Sequence, residues 1–166
     1  INYVGSLTDG DGTDNEHQGV AGARADELAD NMATYLSVNP DMVLVHAGTN
    51  DITNGESPAE VKGDLEDIID DILLHNENIT IVLATLIPRT DDKLDETEEL
   101  NEMIIDLVAE KIGAGAKIWL ADQYAGFVAN GNWASDYFSD AVHPNNDGYD
   151  VMAQTFSGVI LSLIHI

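Results

Sequence analysis

Three short stretches of this sequence carry side chains whose type and spacing could do chemistry. Asp140-Ala141-Val142-His143-Pro144 puts a carboxylate three residues before an imidazole. A carboxylate so placed can hold the ring in one tautomer and stabilise its protonated form, leaving the other nitrogen as a base. The plainer reading is a loop pair ahead of a helix whose first position suits Pro144. Ala47-Gly48-Thr49-Asn50-Asp51 sets an Asn on a tight turn, where its NH2 could stabilise a developing oxyanion. The plainer reading there is an Asx turn. His17-Gln18-Gly19-Val20-Ala21-Gly22 leads from a polar loop toward a helix. Gly22 can bring a backbone N–H close to a ligand, although a glycine before a helix is commonly just a turn.

These stretches need a scaffold that brings them to one place. Asn2–Gly5 reads as the tail of a strand and Thr8–Gln18 as a polar, glycine-bearing loop. Ala25–Leu36 carries Leu28, Met32 and Leu36 at a spacing of four, which predicts a helix stopped by Asn39-Pro40-Asp41. Met42–His46 is short, apolar and β-branched, as a buried strand is. Ser57-Pro58 opens a second helix with Glu60 in capping-box spacing and Val61, Leu65, Ile68, Ile69, Ile72 and Leu73 inward. Ile79–Leu86 is the next strand. A helix follows from Asp91 to about Ile112, with Leu100, Met103, Ile104, Leu107 and Val108 inward. Lys117–Leu120 is a further strand. Pro144 onward predicts a last helix with Tyr149, Met152, Ala153 and Phe156 on one side.

Strands alternating with helices imply an α/β fold: a parallel sheet covered by helices on both faces, in three layers. Ligands in such sheets bind beyond the carboxyl ends of the strands. Chemistry is therefore expected just after Gly5, Leu44–His46, Leu86 and Leu120, and Ala47–Asp51 follows one of those strands directly. No internal repeat or linker divides the chain, so residues 1–166 are expected to form one domain.

Composition narrows the function. Six basic residues stand against 31 acidic ones, for a net charge of −25. Such a surface repels phosphate backbones and anionic lipid, so nucleic acid and membrane are poor partners. No apolar run reaches the roughly 18 residues of a membrane span. The absence of Cys excludes disulfides, Cys-ligated zinc and a thiol nucleophile. The acids are spread along helix faces, which is read as adaptation to high salt, against an ordinary acidic secreted protein. The chain does not begin with Met and has no leader-like start, so either a leader was removed or the sequence is a fragment.

Taken together and in order, Gly22, Gly48-x-Asn50-Asp51 and Asp140-x-x-His143-Pro144 resemble the SGNH (GDSL-type) hydrolase family. Val4-Gly5-Ser6 followed by His17-x-Gly19-x-x-Gly22 resembles most closely its carbohydrate esterases of the acetyl xylan esterase kind. The resemblance implies a flavodoxin-like domain that hydrolyses esters without cofactor or metal. It implies His143 as general base and Asp140 as the residue that orients it. It implies Gly22 (backbone N–H) and Asn50 (side chain) as oxyanion donors, with Thr49 and Asp51 shaping the turn. Acylated carbohydrate or another small ester is the implied substrate, and an extracellular monomer the implied setting.

One part of the family pattern is missing. The family's nucleophile is a Ser in a G-D-S block at the end of the first strand, and this sequence has none. Val4-Gly5-Ser6-Leu7-Thr8-Asp9-Gly10 tempts one to read Ser6 as that nucleophile. Ser6 lies too close to Gly22 for the helix and strand the family places between them, so Ser6 is read as a structural loop residue. The nucleophile remains the open alternative. The expected sheet therefore lacks its first strand, and the chain is expected to be inactive as an esterase. The alternative is a non-catalytic carbohydrate-binding domain using the same crevice.

Other residues carry weaker signals. Asp9, Asp11, Asp14 and Glu16 are read as a solvated loop rather than a calcium site, because the turn Gly and distal Glu of an EF-hand are absent. His17 stands open as a substrate contact, and Trp133 and Tyr137 as a sugar platform against plain packing. His46, His75 and His165 are given no role.

Overall fold

The computed structural model describes residues 2–8 and 16–164. Two short strands open the chain, β1 (Leu7–Thr8) and β2 (Glu16–His17), paired antiparallel. Helix α1 (Ala25–Asp30) and α2 (Met32–Tyr35) follow, with a 3-10 turn at Leu36–Val38. Then come β3 (Met42–Val45), α3 (Thr49–Asn54), α4 (Pro58–His75), β4 (Thr80–Ala84), α5 (Leu94–Gly113) and β5 (Ile118–Ala121). Helices α6 (Gln123–Val128), α7 (Trp133–Asp136) and α8 (Asn146–Ile164) complete the described chain.

The main sheet is parallel and ordered β3-β4-β5. Its register pairs Met42 with Thr80 and Val45 with Leu83, then Ile81 with Ile118 and Ala84 with Ala121. Side chains alternate across it, as period-two strands require. Val43, Val45, Ile81, Leu83, Ile118 and Leu120 join the core shared with α1, α2, α4 and α5. Met42, Val82, Ala84 and Ala121 meet Phe156, Val159 and Leu163 of α8 on the other face. The sheet is therefore covered on both sides, as the alternation of elements implies.

The best-legible helix is α4. Ser57 caps it by accepting from the Glu60 amide while the Glu60 carboxylate accepts from the Ser57 amide at 3.0 Å, and Pro58 starts it. Val61, Leu65, Ile68, Ile69 and Ile72 are all fully buried. In α5 the inward stripe of Leu100, Ile104, Leu107 and Val108 is likewise buried.

Several expectations need correction. Residues 2–5 form no strand, and Tyr3 and Val4 are exposed there. The helix expected over 25–36 breaks at Asn31 (φ −104°, ψ 2°) into two short pieces. The ends of the polar loop pair as a small hairpin. Within the turn expected at 47–51, Gly48 is the N-cap at φ +116° and Thr49 begins α3, and no periodicity marks the short helices α6 and α7. In α8 the four residues expected on one side differ in burial: Phe156 reaches the sheet together with Val159 and Leu163, Met152 is half-buried, and Tyr149 and Ala153 are exposed. A single helix lying on a small patch buries only a narrow stripe, and spacing alone does not fix which one.

Candidate active site

The chain after α7 doubles back on itself. The Asn145 amide donates to the Tyr137 carbonyl at 2.9 Å, the Ser139 amide to the His143 carbonyl at 2.9 Å, and Phe138 bridges Pro144. Residues 140–143 are thus the tip of a tight antiparallel turn. Gly148 makes this closure possible, because a Cβ there would stand 2.3 Å from the Tyr137 carbonyl oxygen.

At that tip Asp140 and His143 form a dyad. His143 Nδ1 lies 2.9 Å from Asp140 Oδ2 and 3.1 Å from Oδ1. Asp140 Oδ1 also accepts from the amides of Val142 (2.9 Å) and His143 (2.8 Å). Those two amides, and then the ring, hold the Asp140 carboxyl down at about 2. An ionised carboxylate can only accept, so Nδ1 carries a proton, and in the neutral ring that leaves the lone pair on Nε2. The ring is 70% exposed, so Nε2 is reachable from solvent.

The other two stretches meet each other. Asn50 stands in the first turn of α3, directly beyond the carboxyl end of β3. Its Nδ2 donates to the Ala23 carbonyl at 2.8 Å, which leaves the second hydrogen of the NH2 group uncommitted to that bond. Gly22 adopts φ +79°, a conformation that favours glycine, and open space surrounds the position a Cβ would take. Gly22 and Ala23 line an open depression of about 500 Å³ with Val20, Glu27 and Tyr35. Asp51 is fully buried and its Oδ1 accepts from the Ala25 amide at 2.8 Å, so it joins α3 to the start of α1. Burial raises its pKa.

The Asp140–His143 turn reaches the same end of the sheet through the loop after β4, where the Thr90 amide donates to the Ala141 carbonyl at 3.0 Å. A second open depression, about 590 Å³, lies beside the turn and is lined by Ser139, Pro144 and Asn145.

The remaining candidates sort by their contacts. Ser6 donates from both its amide (3.1 Å) and its hydroxyl (2.9 Å) to Gln18 Oε1. His17 Nδ1 accepts from the Gly19 amide at 3.0 Å and so closes its own turn. Trp133 packs edge-on against Phe138 at 5.8 Å, and Tyr137 against Phe127 at 5.5 Å. His46 buries Nε2 with no hydrogen-bond partner among the described residues, and burial lowers its pKa to about 4. His75 is exposed at the end of α4. Asp9, Asp11, Asp14 and His165 lie outside the described residues.

Among the described residues, Asp51, Glu56 and Asp64 bring one carboxylate oxygen each within 4.8 Å of one another, close enough to hold a cation. The Arg24 guanidinium already supplies positive charge there, 3.0 Å from Glu56. Sequence reasoning passed over Arg89, which is 3% exposed in the loop after β4. The available signal is a cation a few residues beyond a buried strand in a chain with few cations.

The family model of the GDSL-like lipase/acylhydrolase family matches residues 2–151. No curated protein matches the chain. Solved structures do. A carbohydrate esterase of family 3 from Talaromyces cellulolyticus is 24% identical with a TM-score of 0.85, over 99% of this chain and 82% of that one. A family 3 carbohydrate esterase from Clostridium thermocellum is 23% identical with a TM-score of 0.82, over 99% and 79%. A GDSL-like lipase from Bacteroides thetaiotaomicron is 21% identical with a TM-score of 0.76, over 88% and 75%.

Proposed function

The chain belongs to the GDSL-like lipase/acylhydrolase family, and from that premise of ester hydrolysis we propose that its rim handles acetyl esters of carbohydrates outside the cell. The observation that carries the reading is the Asp140–His143 dyad, with Nδ1 held at 2.9 Å and Nε2 open to solvent. In this reading Nε2 of His143 is the general base that takes the proton of the attacking hydroxyl and returns it to the leaving alcohol. Asp140 orients the ring and stabilises the imidazolium. The Asn50 NH2 and the Gly22 N–H face the carbonyl oxygen as charge develops on it. The carbohydrate substrate is supported by the fold shared with two family 3 carbohydrate esterases.

These 166 residues hold the base without a G-D-S serine. The Ser6 hydroxyl donates to Gln18, which supports its reading as a loop residue. Loss of the nucleophile from a triad leaves only a residual ~10³–10⁴-fold enhancement from binding and oxyanion hole. The chain is therefore expected to bind an acetylated xylo-oligosaccharide and to leave it intact.

Nuclear magnetic resonance with that oligosaccharide tests both halves. Shifts at the Gly22 amide, the Asn50 NH2 and the His143 ring, without acetate release, are the expected result. A ligand response elsewhere, or none, would overturn the carbohydrate reading. Turnover of p-nitrophenyl acetate that vanishes in Ser6→Ala would overturn the loop reading and make Ser6 the nucleophile.

A further inference from the structure

We propose that Arg89 is a positioning residue that fixes the spacing between the helix bearing Asn50 and the turn bearing Asp140 and His143. The inference rests on the hydrolase reading for the meaning of that spacing, but the contacts stand without it. Arg89 is 3% exposed, and a guanidinium so buried is costly unless it is paired; among the described residues its Nη1 has no hydrogen-bond partner, so Nε and Nη2 carry the pairing. Its pairing is bidentate: Nε donates to Asp91 Oδ1 at 2.6 Å and Nη2 to Asp91 Oδ2 at 2.7 Å. Asp91 is itself fixed by the Lys93 amide at 3.1 Å, so the loop after β4 is stiff around the cation.

Two arms leave this centre. Nη2 also donates to Thr53 Oγ1 at 3.1 Å, and Thr53 Oγ1 donates in turn to the Thr49 carbonyl at 2.7 Å. That arm ends one residue from Asn50. The other arm is the next residue in the chain: the Thr90 amide donates to Ala141, which lies inside the dyad turn. An arginine that served its own loop alone would need Asp91 and nothing more. Reaching α3 while its neighbour holds residue 141 makes it a strap across the rim. Lysine could supply the charge without the planar fork that holds Asp91 and Thr53 together.

The test uses Arg89→Lys, Arg89→Ala and Thr53→Val in the whole chain, read by nuclear magnetic resonance without substrate. In Arg89→Lys, the Thr90 amide should exchange about tenfold faster, as loss of one net hydrogen bond implies. The Asp140 carboxyl should titrate higher than its wild-type value of about 2. The Asn50 NH2 signals should shift as well. Thr53→Val changes an exposed residue and cuts one arm, so Asn50 should respond while Asp140 keeps its wild-type titration. Lys62→Gln removes an ion pair elsewhere and should move none of the three. If Arg89→Ala fails to fold, Arg89→Lys and Thr53→Val still decide. A folded Arg89→Lys with Thr90, Asp140 and Asn50 all unchanged would overturn the proposal. Because no readout involves an ester, that failure is distinct from failure of the hydrolase reading.

Discussion

The two faces of the sheet are built to different depths. On one face Val43, Val45, Ile81, Leu83, Ile118 and Leu120 meet two long helices, α4 and α5, and fully buried Leu65, Ile68, Ile69, Ile72, Leu100 and Ile104 fill the space between. On the other, Val82, Ala84 and Ala121 are the buried residues, covered by the half-buried Phe156, Val159 and Leu163 of α8. Tyr149, Leu161 and Ile164 on α8 stay exposed, as does Leu44 on β3. Stability therefore resides mainly in the first face. The chemistry sits at the strand ends, where the chain turns and side-chain hydrogen bonds replace packing. A deep core on one side can hold a rim of solvated turns in place without the other side being equally filled.

The sharpest way to break this contrast is truncation. Leu65→Ala or Ile104→Ala should cost about 2–5 kcal/mol, because each opens a cavity in close-packed surroundings. Leu161→Ala should cost under about 1 kcal/mol. Urea midpoints at constant slope measure both, and equal costs would show that the faces are equivalent.

Acid should act next. His46 follows β3 with Nε2 buried and its pKa lowered to about 4. A histidine whose folded pKa lies below the unfolded value of about 6.5 stabilises the fold fully above that value. The contribution falls away between pH ~6.5 and ~4, by up to about 3 kcal/mol. His46→Leu should flatten urea stability across that window. An unchanged slope would mean the ring is not the titrating group.

Salt should have a smaller, general effect. Five of the six cations, Arg24, Lys62, Arg89, Lys93 and Lys111, are in ion pairs among the described residues, and six cations cannot neutralise 31 acids, so repulsion between acids dominates. Molar sodium chloride shortens the Debye length to about 3 Å and should raise the melting temperature. Indifference to salt would reject the high-salt reading.

The smallest effect belongs to the exposed dyad. Asp140 is held at about 2, below its ordinary value of 3.8, so its contribution is complete above pH ~3.8 and disappears as pH falls toward 2. The melting-temperature difference between wild type and Asp140→Asn should close over that interval. A difference that persists at pH 2 would mean that the carboxylate charge is not what stabilises the turn.

The sequence was legible where periodicity and caps agree. Pro58–His75 announces itself through Ser57, Pro58 and Glu60, and its apolar stripe is the buried one. The three strands stand out as β-branched apolar runs. Short helices such as α3, α6 and α7 span too few residues to show a period, and α8 buries too little to mark its inner side. At the site, Asp140 and His143 could be read because a spacing of three within one turn makes the contact local. The links from Asn50 to Ala23, from Asp51 to Ala25 and from Arg89 to Thr53 join distant parts of the chain, so only folding discloses them.

The tautomer of His143 tests the central claim most directly. Nitrogen-15 long-range correlation spectra at a pH where the ring is neutral should find the proton on Nδ1 in wild type, and on Nε2 in Asp140→Asn, whose amide can no longer act as an anionic acceptor. A wild-type ring protonated at Nε2, or a tautomer indifferent to Asp140→Asn, would contradict an imidazole held as a base at this rim.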